Sequence, residues 1–191
     1  MWEYRIFVEG QDLRPQALNV GLEKAQTRER SMICVVMDDP QISLAFDSGI
    51  LEIRVREWIE NDVQLWRRPF RQKLPLAQQL SEEVAGLLNA NPDVALPIET
   101  PDDLANLLEE WKIDHRMVAV NERRRLVHRD RLCIEHSEVD IGGEAFVTIC
   151  IRGATRRRVA AMCDTLALPD DAFVLSWPEA LQEFSQEPSG G

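Results

Sequence analysis

The feature that most restricts how this chain can fold is an alternation of aliphatic residues with arginine, repeated in several short segments. Over 51–56, Leu51, Ile53 and Val55 alternate with Glu52, Arg54 and Arg56, and over 63–68, Val63 and Leu65 alternate with Gln64, Trp66 and Arg68. Over 146–152, Val147, Ile149 and Ile151 alternate with Phe146, Thr148, Cys150 and Arg152. A period of two places alternate side chains on opposite faces of a β-strand, and a helix does not satisfy it. Each segment therefore predicts a strand with one aliphatic face and one face that carries arginine. Asn61-Asp62 supplies a hairpin turn between the first two, and Gly142-Gly143 a turn before the third. Residues 2–8, 31–37, 116–127 and 131–137 also read as strands.

The middle of the chain changes period. Leu76, Leu80, Val84, Leu87 and Leu88 follow helical spacing after Pro75. A second helix starts at Thr100, with Pro101 at its first position and Asp102 and Asp103 at its positive end. Its apolar face is Leu104, Leu107, Leu108 and Trp111, and residues 89–99 form the intervening loop. Thr155 caps a helix running to about Leu166, a short helix spans Pro178 to Phe184, and residues 16–30 predict a short polar helix. Strands, two helices, strands and a helix in that order indicate an α+β fold rather than alternating α/β. The 191 residues suit one domain over 1–185, long enough to bury a real core, with a flexible tail at 186–191.

The net charge of −11 argues against binding to bulk nucleic acid or an anionic membrane. Its distribution says more. Segments 51–73, 116–131 and 152–158 hold 16 of the 22 basic residues but 6 of the 33 acidic ones. Nineteen of the 22 are arginine, whose planar fork grips phosphate or carboxylate oxygens in pairs. Opposite the aliphatic faces lie Arg5, Arg54, Arg56, Arg68, Arg123, Arg125 and Arg152, with Arg54 beside Arg56 and Arg123 beside Arg125 on shared faces. Two readings fit. The arginine face is a wetted sheet surface, or it is the concave interior of a curled sheet whose helices cover the aliphatic outside. Mixed signs are expected on a solvent face of so acidic a chain, which favours the interior. Arginines crowded there repel unless an anion or carboxylates offset them.

Other residues add little. Cys34, Cys133, Cys150 and Cys163 are too scattered for a zinc or redox motif and read as small buried apolar residues. His115, His128 and His136 are not spaced to share a metal, and neither Ser137 nor Cys150 has an evident base for nucleophilic catalysis. Arg156-Arg157-Arg158 opens a helix as a solvated face. No apolar run approaches the roughly 20 residues that span a bilayer, and the charged start lacks a signal core, so the expected location is cytoplasmic.

Several motifs, in order, resemble those of the CYTH (triphosphate tunnel) superfamily. Glu3-Tyr4-Arg5 is similar to the end of its opening Glu-x-Glu-x-Lys strand, with Met1 at the first glutamate and Arg5 at the lysine. Asp38-Asp39-Pro40, Ile42-Ser43-Leu44 and Leu51-Glu52-Ile53-Arg54-Val55-Arg56 resemble its Asp-Thr-Pro and Leu-Arg-x-Arg landmarks. Arg68 stands where the family has the lysine of Leu-Thr-x-Lys, and Asn121-Glu122-Arg123 resembles Lys-x-Arg. The segments 138–150 and 176–181 are similar to its Asp-x-Val, Phe-x-Glu-x-Glu and Ser-Tyr-x-x-Leu-Leu runs.

The resemblance implies a curved antiparallel β-barrel with helices outside and a phosphorylated small-molecule anion, polyphosphate or nucleotide-like, held by Arg5, Arg54, Arg56, Arg68, Arg123 and Arg125. It also implies Mg2+ or Mn2+ on carboxylates, and here the sequence departs from the family. Thr148 and Cys150 replace the paired glutamates, and Ser137 replaces a strand aspartate, leaving Glu3, Glu52 and Glu135 as the expected metal set. The expected function is anion binding with weak metal-dependent phosphohydrolase activity. The alternatives are a non-catalytic binding or adaptor protein that retains the barrel, and an unrelated barrel whose charged interior is closed by salt bridges.

Overall fold

A computed structural model describes residues 1–9, 25–166 and 172–185. Among these the strands are β1 (Trp2–Glu9), β2 (Thr27–Met37), β3 (Ile42–Asp47), β4 (Ile50–Glu60), β5 (Val63–Lys73), β6 (His115–Arg129), β7 (Leu132–Ile141), β8 (Glu144–Gly153) and β9 (Phe173–Val174). The helices are α1 (Gln78–Leu87), α2 (Pro101–Glu110), α3 (Arg156–Cys163) and α4 (Trp177–Phe184).

The hairpin connections follow from the turn residues. Ser48-Gly49, Asn61-Asp62, Asp130-Arg131 and Gly142-Gly143 all have both residues at positive φ. That is the two-residue turn whose twist matches that of paired strands. It joins β3 to β4, β4 to β5, β6 to β7 and β7 to β8.

The strands pair in the order β5-β4-β3-β2-β6-β7-β8-β1, and β1 returns to β5 through Trp2↔Leu65 and Glu3↔Gln64. Eight antiparallel strands thus close a barrel, and β9 adds to β1 at Ile6 and Phe7. The closed barrel with helices outside is the α+β architecture that the alternation predicts. The expected helix at 16–30 is corrected where it can be seen: residues 27–30 begin β2, where their backbone pairs with Glu122–Arg125 of β6. The rest of that expectation, and the tail at 186–191, lie outside the described residues.

Helices α1 and α2 cover the outer face of β2–β5, where Leu44, Leu51, Ile53 and Phe70 pack against Val84, Leu88, Leu104 and Leu108. Burial of each such side chain contributes about 1.5–3 kcal/mol. Helix α2 starts at Thr100 as the sequence predicts, and there Thr100 and Asp103 form a reciprocal capping box. Helix α3 packs Val159 against Tyr4, Ile6, Ile134, Ile149 and Ile151. Thr155 stands at its N-cap without a side-chain capping bond.

Helix α4 does something else. Its Trp177, Ala180 and Leu181 pack with Phe7, Cys34, Val36, Val118, Val120 and Phe146. Those strand residues alternate in step with Arg5, Arg30, Glu122 and Thr148, so they line the inside of the barrel. Helix α4 therefore plugs one end. Ser176 and Glu179 cap its start, and Arg116 donates to the carbonyls of Leu181 and Gln182 at its end (3.3 and 3.1 Å). Among the described residues no helix is long and apolar enough to cross a membrane.

Candidate functional site

Cross-strand register arranges the inner wall in rows. Farthest from α4, His128, Cys133, Arg152 and Glu3 stand side by side. The next row is Leu126, Glu135, Cys150 and Arg5, followed by Arg124, Ser137, Thr148 and Phe7. Because neighbours in a row project in the same direction, their polar groups meet across the strands.

Glu135 is the centre of this wall. It accepts from Arg5 Nη2 at 3.1 Å and Arg152 Nη2 at 2.6 Å, and Arg124 Nη1 lies 3.7 Å away. Glu3 pairs with Arg54 at 2.8 Å and with Arg5 at 3.4 Å, and Arg5 also donates to Thr148 Oγ1 at 3.3 Å. On the opposite wall Arg30 pairs with Glu122 and reaches Asp47 at 3.4 Å. Arg56 reaches Glu179 of α4 at 2.6 Å, tying the plug to the wall. The Trp66 ring lies 5.1 Å from the Arg54 guanidinium and 5.9 Å from that of Arg56, a cation–π arrangement. Arg68 and Arg71 share Glu52, at 3.3 Å each, at the exposed rim.

Burial favours the neutral form of Glu3 and Glu135, but the guanidiniums outweigh it. Arg54 and Arg5 hold the Glu3 carboxyl far below the usual carboxylate range, and Arg5 and Arg152 lower that of Glu135. Burial pushes the Cys150 thiol far up, so it stays neutral.

Among the described residues these ion pairs engage eight arginines (5, 30, 54, 56, 68, 71, 124 and 152) and six carboxylates (3, 47, 52, 122, 135 and 179). The donors are not all used. Among the described residues Arg124 Nε, Arg152 Nε and Ser137 Oγ are buried without a hydrogen-bond partner, as is the acceptor Glu122 Oε1. Each such group costs about 1–3 kcal/mol until it is satisfied.

Of the expected anion-binding residues, Arg5, Arg54 and Arg56 line the interior, and Arg68 stands at its rim. Arg123 and Arg125 do not join them. Arg123 lies on the outer face, pairing with exposed Glu138 at 3.4 Å, and Arg125, on the same side, donates to Thr27 at 3.4 Å. The inward residue of that run is Arg124. The reason is the plug: with α4 closing this end of the barrel, Val118 and Val120 face inward against it, and alternation carries Glu122 and Arg124 inward too. The rule that aliphatic side chains face outward fails at this end. Arg30 is a further inner residue hidden by the helix expected at 16–30.

The expected metal set does not come together. Glu3 and Glu135 share Arg5 inside the barrel, whereas Glu52 pairs with Arg68 and Arg71 at the rim, and among the described residues no three His, Cys, Asp or Glu side chains converge. Mg2+ and Mn2+ need several oxygen donors. Guanidiniums occupy the carboxylates here, and Cys150 offers a neutral thiol, so these residues do not fit a hard divalent cation.

No family profile matches the chain, and no curated protein does. Solved structures do. HpAC1 from Hippeastrum, described as a candidate adenylyl cyclase with a dominant triphosphatase activity, superposes with a TM-score of 0.56 at 11% identity, over 98% of this chain and 97% of its own. The PH1012 protein of Pyrococcus horikoshii OT3 gives 0.53 at 11% identity, over 93% and 98%. A conserved hypothetical protein of Pyrococcus furiosus gives 0.52 at 10%, also over 93% and 98%. At such identities the likeness is one of fold, and it runs from end to end.

Proposed function

We propose that this CYTH-like tunnel binds a phosphorylated small molecule, polyphosphate or nucleotide-like, on its inner arginines, and that it needs no divalent cation to do so. The observation that carries the reading is the excess, among the described residues, of eight ion-paired arginines over six carboxylates, with the buried donors Arg124 Nε, Arg152 Nε and Ser137 Oγ lacking acceptors there. Phosphate oxygens accept from guanidinium forks in pairs and match such donors. The triphosphatase activity ascribed to HpAC1 points to the same class of ligand.

The arginines divide the work. Arg5 is clamped by Glu3, Glu135 and Thr148, and it positions those carboxylates. Arg54, Arg56, Arg124 and Arg152 each keep N–H groups to offer. Arg68 draws the anion to the rim. Because the carboxylates are engaged by arginine, the reading contains no metal-assisted hydrolytic step. Phosphate release from triphosphate or ATP is expected to be weak or absent across Mg2+ and Mn2+. The ion-paired interior favours a binding protein over an enzyme.

Calorimetry with tripolyphosphate, pyrophosphate and ATP tests this, first in EDTA and then in Mg2+. Tripolyphosphate is expected to bind at least as tightly in EDTA. Binding that appears only with Mg2+ would restore the metal reading, and no binding to any of the three would leave the barrel closed by its own salt bridges.

A further inference from the structure

Outside the barrel, helix α3 and the β6–β7 turn enclose a recess of about 470 Å3. Leu132, Ala161 and Met162 give it an apolar lining, and Asp130, Arg131, Arg158 and Thr165 complete it. Leu132 packs with Val159 of α3 on the outer face, while the next residue, Cys133, stands in the inner row beside Arg152. The recess therefore opens to the outside of the barrel, apart from the tunnel wall.

The charges around it are one-sided. Among the described residues Asp130 is the only acid bordering the recess, and it pairs with Arg129 at 3.4 Å. Helix α3 opens with Arg156, Arg157 and Arg158, with no acid in its first turn and no side-chain cap at Thr155. Cations at a helix N-terminus oppose the helix dipole. Arg156 is relieved by Glu60 at 2.9 Å. Among the described residues Arg131, Arg157 and Arg158 have no carboxylate within ion-pair distance, in a chain of net charge −11. Arg131 sits at φ 64° in the two-residue β6–β7 turn, which fixes where its side chain leaves the backbone.

We propose that this recess docks an acidic segment of a partner protein. The segment places one large apolar side chain against Leu132, Ala161 and Met162, and Asp or Glu residues on either side of it meet Arg131 and Arg158. Arginine and methionine are enriched in protein interfaces, where an apolar anchor in a pocket carries most of the binding energy. The uncompensated arginines set the sign of the partner. The apolar lining favours a protein over a nucleic acid or a phosphate chain. Phosphates would leave Leu132 and Met162 with no apolar surface to cover them, and among the described residues no Phe, Tyr or Trp borders the recess to stack on a base.

The test selects a random phage-displayed peptide library on the full chain, with counter-selection on an Ala161→Glu variant. Ala161 is exposed on a helix, where glutamate is a good helix former, so the variant keeps the fold and sets a repelling charge in the recess. Enriched peptides are expected to carry a single Leu, Met, Phe or Trp flanked by Asp or Glu. One of them, labelled with fluorescein, is then titrated by anisotropy against the parent and an Arg131→Asn, Arg158→Ala double variant. The double variant is expected to bind it about tenfold more weakly, about 1.4 kcal/mol, and an alanine in place of the peptide's apolar anchor should cost at least as much. Asn tolerates the left-handed turn, and removing Arg158 relieves the helix dipole. The Tm of the double variant is therefore expected to be no lower than the parent's, which separates lost docking from lost fold.

No enriched peptide, enrichment without acidic residues, or equal binding by parent and double variant would overturn the docking site. So would displacement of the peptide by tripolyphosphate at matched ionic strength, since that would put the peptide in the tunnel. A single-stranded oligonucleotide or a long polyphosphate that binds as tightly as the peptide, with the same loss in the double variant, would refute the choice of a protein partner.

Discussion

Replacing Glu135 with glutamine removes the one negative charge shared by Arg5, Arg152 and Arg124, at 3.1, 2.6 and 3.7 Å. The amide keeps the shape and one acceptor, so the change is electrostatic. Two consequences follow, in opposite directions. First, guanidiniums in a buried wall lose their counter-charge, a loss of about 3–5 kcal/mol for a broken buried pair. In a chain of this size each kcal/mol moves Tm by about 2–4 °C, so the variant should melt roughly 6–20 °C lower. Second, an incoming anion no longer competes with Glu135 for the same donors, so the variant should bind tripolyphosphate more tightly. A ligand at 100 times its Kd adds about 2.7 kcal/mol to stability. At one tripolyphosphate concentration the variant should therefore recover more degrees than the parent gains. The assay is thermal unfolding of both proteins across tripolyphosphate, with sodium chloride at matched ionic strength as the control for screening. A variant Tm within about 2 °C of the parent would refute the central role of Glu135. Recovery no larger than that given by sodium chloride would refute its exchange with phosphate.

Arg124→Ala should weaken tripolyphosphate binding by about 1.5–3 kcal/mol in calorimetry, the range for a charged hydrogen bond, while Arg123→Ala should leave it unchanged. The reverse result would mean that β6 presents its other face to the ligand. Burial raises the Glu179 pKa, but its bonds with Arg56 and Ser176 outweigh this and hold it below the ordinary value. Its stabilisation is therefore complete above the unfolded pKa of about 4.3 and is lost as pH falls through the folded one. Glu179→Gln should accordingly narrow its stability deficit to the parent as pH drops from about 5 to 3, measured by urea unfolding, and a constant deficit would contradict the sign. Introducing Thr148→Glu with Cys150→Glu places two carboxylates beside Glu135 and Arg5. Mg2+ or Mn2+ should then raise Tm in the double variant and not in the parent, and an equal shift in both would show that the parent already holds the ion.

The faces of β1, β4, β5 and β8 were readable because each combines aliphatic with polar alternation, and in each the aliphatic side lies under a helix outside the barrel. Leu51 and Ile53 lie against α1 and α2, and Ile149 and Ile151 against α3. Strand β6 carries no such unambiguous signal. Its three consecutive arginines have no period, and the valines before them are buried on the inside. Only the position of α4 settles which face is which, and that is a contact between distant parts of the chain. Strand β3 escaped notice because its six residues are short and mixed. The separation of Glu52 from Glu3 and Glu135 was hidden for a related reason. Sequence shows which carboxylates share a face, but not that Arg54, Arg152 and Arg68 reach them first.

The way β1 closes the barrel has a kinetic consequence. Strands β2 to β5 are joined in succession by short connections, and so are β6 to β8, so each set can assemble through local hairpins on the microsecond scale. Strand β1 has no such neighbour: it is the stave between β8 and β5, pairing Trp2 with Gly153 on one side and with Leu65 on the other. Contacts so distant in sequence are slow to form, because the intervening loop must first be ordered. Refolding should thus join two preformed meanders through β2 and β6 and seat β1 late. Until then Glu3 and Arg5 remain hydrated, and the ion pairs they make contribute little to the folding rate. They act instead on unfolding, where the same pairs must break for the barrel to open, so the charged interior is a determinant of how long the native state lasts rather than how fast it is reached.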